Sequence, residues 1–256
     1  MSDQYADHFA PEGLRTRATV VVVPGRGETR ATYDRLGKRL AADAYRVRVV
    51  EATDLDEDRP DASSGQLRAR LAAAVEGAAT DGDPVRPVVL VGSDTGAVAL
   101  AALFARPTED HRLRPDAVVL AGLPGSGAAQ SASWDDELDI RTACPVHRGA
   151  LTDDPQVRRG ALNTSVPPHL LEAALDTSSD IPHLLLVGDR DPLADHDALA
   201  RLAKSLTSAR LTVVHGARHD VLNDQQHRAV AAEIVTFLEA LRGDLTPPVT
   251  VRSSSW

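Results

Sequence analysis

Apolar positions along the chain fall into short unbroken runs, separated by longer stretches with helical spacing. Thr19–Val23 is a β-branched run that predicts a buried strand, and it empties into Pro24-Gly25-Arg26-Gly27. A helix is expected from about Ala31 to Ala42, with Tyr33, Leu36 and Leu40 on one face. Tyr45–Val50 predicts a second strand, Asp61–Ser64 a surface loop, and Gln66–Ala78 an amphipathic helix. Val88–Val91 is another continuous apolar run, followed by a small-residue helix at Ala97–Ala105 that Pro107 stops. Ala117–Ala121, His183–Val187 and Leu211–Val214 read as further strands, with helices near Ala198–Ser205 and Gln225–Leu241. Unbroken apolar strands alternating with helices predict an α/β fold: a mostly parallel sheet covered by helices on both faces.

One segment breaks the alternation. From Gly125 to Pro182 the chain is polar, contains Ser, Asp and Pro, and is expected to be mostly helical, which predicts a lid or cap inserted between two strands. The expected organisation is an N-terminal extension over 1–17, a core over 18–124 and 183–242, the lid over 125–182, and a mobile tail over 243–256. A length of 256 residues suits one such domain.

Composition narrows the function classes. Aromatic residues make up only 3% of the chain, which argues against base-stacking surfaces, and a net charge of −9 disfavours nucleic acid as a partner. Cys144 is the only cysteine, so no internal disulfide is possible. No signal-peptide core is visible at the N-terminus, and no apolar run approaches the ~18 residues of a membrane span. A cytoplasmic bacterial protein that does not bind membranes is expected, with a homodimer left open. The expected partner is a small-molecule substrate, with no cofactor and no metal. His215 and His219 have His-x-x-x-His spacing, but the pair straddles a strand end and a glycine-containing loop rather than one helix face.

The chemistry gathers at three turns. Gly92-Ser93-Asp94-Thr95-Gly96 lies between a predicted strand and a predicted helix, and its pattern is that of a nucleophile elbow with aspartate at the centre. Such an elbow lifts its central side chain clear of the sheet; Ser93, one place early, is not expected to point into the site. A nucleophile needs a base, an orienting acid and donors for developing negative charge. His219, in the loop after the last strand, is the expected base, with His215 as rival. Asp191, in Gly188-Asp189-Arg190-Asp191-Pro192, is the expected acid, with Asp189 and Asp195 as competitors. The backbone amides of Arg26 and Thr95 are the expected oxyanion donors. Trp134 and His147 in the lid, and Glu28 behind the first turn, are the candidate substrate-binding residues.

With these motifs in the order nucleophile, acid, histidine, the chain resembles the α/β-hydrolase fold over roughly Thr19 to Leu241. The stretch PGRGETRATYDRLGKRLAADAYRV and the turn GARHDVLND resemble lysophospholipase-like and monoglyceride-lipase-like members. Those relatives mostly carry serine at the elbow centre and His-Gly at the first turn; Asp94 and Pro24-Gly25 stand here instead. Aspartate at the centre resembles epoxide hydrolases and haloalkane or haloacetate dehalogenases. That resemblance implies attack by Asp94 on an sp³ carbon of a small apolar molecule, an alkyl-ester intermediate, and its hydrolysis by water that His219 activates. The lid lacks the tyrosines of epoxide hydrolases, and Thr95 replaces the tryptophan that dehalogenases often place beside the nucleophile. Two other readings therefore remain: lyase, isomerase or esterase-like chemistry with Asp94 as base or electrostatic partner of His219, and a non-catalytic binding protein.

Overall fold

A computed structural model describes residues 5–52, 60–79, 82–106 and 113–254. Seven strands form one sheet: β1 (Ala6–His8), β2 (Thr19–Val23), β3 (Arg46–Val49), β4 (Val88–Ser93), β5 (Ala117–Ala121), β6 (His183–Gly188) and β7 (Ala209–Val214), in the spatial order β1-β3-β2-β4-β5-β6-β7. All neighbours pair in parallel except β1, which runs antiparallel to β3. The helices are α1 (Asp34–Ala42), α2 (Pro60–Glu76), α3 (Thr95–Leu103), α4 (Trp134–Arg141), α5 (Pro145–Asp153), α6 (Pro168–Leu175), α7 (His196–Ser205) and α8 (His227–Leu241).

Alternation along the strands sorts side chains into two cores, one on each face of the sheet. Val21, Val23, Leu90, Leu120 and Leu185 face α2, α3, α6 and α7, meeting Leu71, Leu100, Leu171 and Leu202. Val20, Val22, Val89, Val91 and Leu184 face α1 and α8, meeting Leu36, Leu40, Ile234 and Leu238. Because both faces are covered, the parallel strands read as unbroken apolar runs in the sequence.

Three expectations need adjustment. Residues Asp61–Ser64 belong to α2 rather than to a loop. The predicted first helix opens as a short 3₁₀ turn, Arg30–Tyr33, before α1 begins. Residues 6–8, expected within an extension, form the edge strand β1, with Asp7 paired to Arg48. Pro107 lies outside the described residues. Between β5 and β6 the chain forms α4, α5, a 3₁₀ turn at Ala161–Asn163, and α6.

The carboxyl ends of β2, β4, β6 and β7 all open on one edge of the sheet. This is where open α/β sheets place their ligands, and all three candidate turns emerge there.

Candidate active site

The sharp turn after β4 is made possible by its two glycines. A Cβ on Gly92 would lie 2.5 Å from the carbonyl oxygen of Gly96, and one on Gly96 would collide with the carbonyl of Val23. Between them Asp94 adopts φ 47° and ψ −118°, a conformation that costs a non-glycine residue about 1–3 kcal/mol and is held by its surroundings. Its N–H bonds the Ala121 carbonyl at 3.0 Å, and its own carbonyl accepts from Ala97 and Val98 in the first turn of α3. Strain at the elbow thus fixes the direction of the carboxylate.

That carboxylate is bonded on all sides. Oδ1 accepts from His219 Nε2 at 3.1 Å and from Arg26 Nη2 at 2.8 Å. Oδ2 accepts from the Arg26 backbone N–H and from Arg26 Nε, both at 2.8 Å. Behind His219, Nδ1 meets Asp191 Oδ2 at 2.9 Å, while Asp191 Oδ1 accepts from the Leu193 N–H at 2.9 Å. The side chains of Asp94, His219 and Asp191 are all 0–2% exposed, so solvent does not reach the chain in this structure.

The rival residues are placed elsewhere. Asp189 pairs with His215, whose side chain is 89% exposed, and Asp195 caps α7 by accepting from the Ala198 N–H. His215 and His219 therefore do not converge. Of the two expected amide donors, Arg26's meets the Asp94 carboxylate, and Thr95 opens α3 immediately beside it.

Burial and charge set the protonation states. Burial pushes the Asp94 carboxyl up, but the Arg26 guanidinium and the His219 hydrogen bond overcome it and hold the group well below the usual carboxylate range. Burial alone would also lower His219; the charge of Asp191, its hydrogen bond and the Asp94 contact override it and raise the imidazole to about 10. At neutral pH the resting site is an imidazolium between two carboxylates, one of them shared with a guanidinium.

The segment between β5 and β6 is stitched over this chain. Arg26 Nη1 donates to the Thr164 carbonyl, Arg141 Nη2 donates to the Arg26 carbonyl at 2.7 Å, and the Arg158 N–H donates to the Gly27 carbonyl at 2.9 Å. On the histidine side, the Asp220 N–H bonds the Arg141 carbonyl at 2.8 Å, and Asp224 Oδ1 accepts from Thr142, Ala143 and Cys144.

Glu28 and His147, expected to touch substrate, instead build a second buried network beside the first. Glu28 Oε2 accepts from the Gly25 N–H at 2.8 Å and from the Tyr33 hydroxyl. His147 Nε2 lies 2.9 Å from Asp220 Oδ2, and Arg141 Nη1 lies 3.5 Å from Asp220 Oδ1. Burial and the charge of Asp220 raise Glu28 to about 7. Ligand atoms of Glu28, His147 and Asp220 lie within 4.8 Å of one another. The guanidinium of Arg141 already supplies positive charge there, which opposes a divalent cation. Trp134 is not brought to the triad: its indole N–H donates to Thr152 Oγ1, and its ring packs on Leu138, Leu151 and Val157 beneath Arg159. An amphipathic indole in a polar segment gives no signal that distinguishes this internal packing from contact with substrate. Arg141 sits in no motif, and Asp220, although within the GARHDVLND turn, carries no signal that separates it from the other polar residues there; at Arg26 only the backbone amide has a sequence signal.

Among the described residues, no helix is long and apolar enough to cross a membrane. A protein-family profile described as "Serine aminopeptidase, S33" matches residues 92–226. Among solved structures, the chain is similar to a soluble variant of monoglyceride lipase from Saccharomyces cerevisiae, with a TM-score of 0.72 and 14% identity, covering 93% of this chain and 91% of that one. It is similar to the monoacylglycerol lipase of Paleococcus ferrophilus (TM-score 0.67, 18% identity, 93% and 98% covered). It is also similar to YbtT, a type II thioesterase from the yersiniabactin pathway (TM-score 0.56, 20% identity, 93% and 99% covered). At these identities the likeness is one of fold. No curated protein sequence matches the chain significantly.

Proposed function

The chain belongs to the serine aminopeptidase S33 family of the α/β-hydrolase superfamily, and on that premise we propose that it is a hydrolase whose nucleophile is the Asp94 carboxylate in place of a serine hydroxyl. Asp94, His219 and Asp191 are the triad of this reading, Arg26 and Thr95 supply the oxyanion amides, and segment 125–182 is the lid over a small-molecule substrate. One observation carries it. The carboxylate at the strained elbow is held by an amide donor on one oxygen and by the imidazole on the other, as an ester formed there would require.

A carboxylate is a weak nucleophile toward acyl carbon but displaces a leaving group at sp³ carbon. In the first step an Asp94 oxygen bonds that carbon as the carbon–leaving-group bond breaks, the electron pair departing with the leaving group. The resulting ester is neutral. His219 then faces only Asp191, its affinity for a proton falls, it releases its proton to the departing group or to solvent, and as a neutral imidazole it becomes able to take one from water. The hydroxide adds to the Asp94 carboxyl carbon while the Arg26 and Thr95 amides hold the oxyanion. Collapse expels the alkoxide, which takes the proton from His219, and Asp94 is restored. His219 is protonated while Asp94 is charged and becomes a base only once the ester exists, so the order of the two steps is built into the electrostatics.

A second reading is favoured by the guanidinium: a carboxylate with both oxygens gripped by Arg26 serves as an electrostatic partner of His219 in non-covalent chemistry. Mass spectrometry of the His219→Ala variant, after exposure to epoxides, haloalkanes, haloacids and activated esters, separates the two. An adduct on the peptide carrying Asp94 is expected. Turnover by the wild type without any adduct in the variant overturns the nucleophile.

A further inference from the structure

We propose that Glu28, Arg141, His147 and Asp220 form a proton-dependent clamp that fastens α4 and α5 over the triad, and that loss of the Glu28 proton releases this segment and admits substrate. The inference is independent of the chemistry at Asp94: it holds whether that carboxylate attacks substrate or only pairs with His219.

The triad side chains are 0–2% exposed, so a ligand meets Asp94 only after part of the structure has moved. The four residues of the clamp come from four segments, and each is no more than 5% exposed. Glu28 stands in the loop after β2, Arg141 at the end of α4, His147 in α5, and Asp220 in the loop after β7, next to His219 in sequence. Asp220 Oδ2 meets His147 Nε2 at 2.9 Å, and Asp220 Oδ1 lies 3.5 Å from Arg141 Nη1. Arg141 Nη2 reaches the other way and donates to the Arg26 carbonyl at 2.7 Å. The cluster thus joins α4 and α5 to both loops that carry the catalytic groups. Glu28 sits within it, its carboxylate less than 4.8 Å from the ligand atoms of His147 and Asp220.

The balance of charge makes the clamp depend on a proton. Glu28 Oε2 accepts from the Gly25 N–H and the Tyr33 hydroxyl, while Oε1 is buried with no hydrogen-bond partner. Arg141 is the guanidinium facing the cluster, and it already gives Nε and Nη2 to Glu137 at 3.1 and 2.9 Å. Across the Gly25 turn, Arg26 is committed to Asp94, and His219 to Asp94 and Asp191. Tyr33, raised well above its ordinary value by burial, stays neutral. A protonated Glu28 adds no charge to this set. An ionised one places a second buried anion beside Asp220, on a guanidinium that is already shared, and with one oxygen lacking a donor. Opening the segment hydrates Glu28 and relieves that cost. Burial and Asp220 raise the closed form to about 7, against 4.5 for a solvated group. Opening therefore becomes easier as pH rises from 4.5 and levels off above about 7. The clamp is shut in acid and loosened in alkali.

Residue-resolved amide exchange by NMR on the full chain, in a series from pH 5 to pH 9, tests this. The reporters are bonds that cross between the segment and the catalytic loops: the His219 N–H on the Ile140 carbonyl, the Asp220 N–H on the Arg141 carbonyl, and the Arg158 N–H on the Gly27 carbonyl. The strand amides of β4 and β5, at the centre of the sheet, are the controls. After division by the intrinsic rate at each pH, reporter exchange is expected to rise about 10- to 100-fold from pH 5 to pH 8, as a carboxyl moving between 4.5 and about 7 requires, while the controls stay level. In Glu28→Gln, which keeps an oxygen for the Gly25 N–H but has no proton to lose, the rise is expected to vanish. Tyr33→Phe removes a hydrogen bond that lowers Glu28, so there the rise should level off at a higher pH. A rise shared equally by the controls is global unfolding and overturns the clamp. So does a flat wild-type profile, or a rise that survives Glu28→Gln. Should Glu28→Gln fail to fold, the wild-type contrast of reporters with controls and the Tyr33→Phe displacement decide the matter, and a profile that Tyr33→Phe leaves in place overturns Glu28 as the titrating group. No adduct on Asp94 in the His219→Ala experiment would refute the nucleophile and leave these outcomes unchanged.

Discussion

Replacing Asp94 with asparagine imitates the charge state of an ester intermediate without forming one, and it should convert His219 from a group charged across neutral pH into one that titrates at lower pH. In the wild type His219 lies 3.1 Å from Asp94 and 2.9 Å from Asp191, and it is raised to about 10. A hydrogen bond to a charged partner contributes about 1.5–3 kcal/mol, so loss of the Asp94 charge should lower the midpoint by ~1–2 pH units. Arg26, no longer neutralised by Asp94, repels the imidazolium and pushes in the same direction. The assay is an NMR titration of the His219 ring nitrogens in both proteins, with Asp94→Ser as a second neutral variant. The linked effect on stability has a definite sign. A histidine raised on folding contributes stability that is full below pH 6.5 and lost as pH rises through about 10. In the asparagine variant that loss should begin at lower pH. A wild-type midpoint near 6.5, or one that Asp94→Asn leaves in place, would refute the electrostatic ordering of the two steps.

Other consequences are equally direct. Gly96→Ala drives a Cβ into the Val23 and Pro24 carbonyls, and should cost about 1–3 kcal/mol in urea unfolding because backbone cannot give way as a side chain tip can. Arg141→Met leaves Glu137 and Asp220 buried without their cation and should cost about 3–5 kcal/mol, read in the same unfolding experiment. Glu28 is raised from 4.5 to about 7, first by burial and then by Asp220, so its burial is harmless below pH 4.5 and weakens the fold as pH rises through about 7. Glu28→Gln should therefore be more stable than the wild type at pH 8 by a margin on the order of 3 kcal/mol. That advantage should vanish at pH 4.5; a difference independent of pH would contradict the assignment.

Much of this molecule was legible in its sequence because its signals are local. Val88–Val91 running into Gly-Ser-Asp-Thr-Gly and then a small-residue helix specifies strand, turn and helix from adjacent residues alone, and the structure brings Asp94 out at that turn. Order along the chain sufficed to nominate Asp191 and His219, since each follows a readable strand. Choosing Asp191 over Asp189 and Asp195 required the fold: the three carboxylates share one loop, and only the direction of each side chain separates a histidine partner from a turn ligand and a helix cap. The edge strand β1 leaves no signal in the sequence because three residues pairing at a sheet margin need little apolar content. At Asp61–Ser64 the polar residues and the glycine neighbour mimic turn chemistry, which the rest of α2 overrides.

The sequence by itself determined the alternating architecture, the elbow, and the residue types available to the chemistry, because period, β-branching and glycine placement act over a few residues. Only the tertiary structure decided what those groups face. The Arg26 side chain closing on Asp94, Arg141 and Asp220 joining Glu28 and His147, and the docking of residues 125–182 across the loops after β2 and β7 are contacts between segments 68 or more positions apart. Such contacts follow from how sheet and helices pack, and no local pattern of residues encodes them.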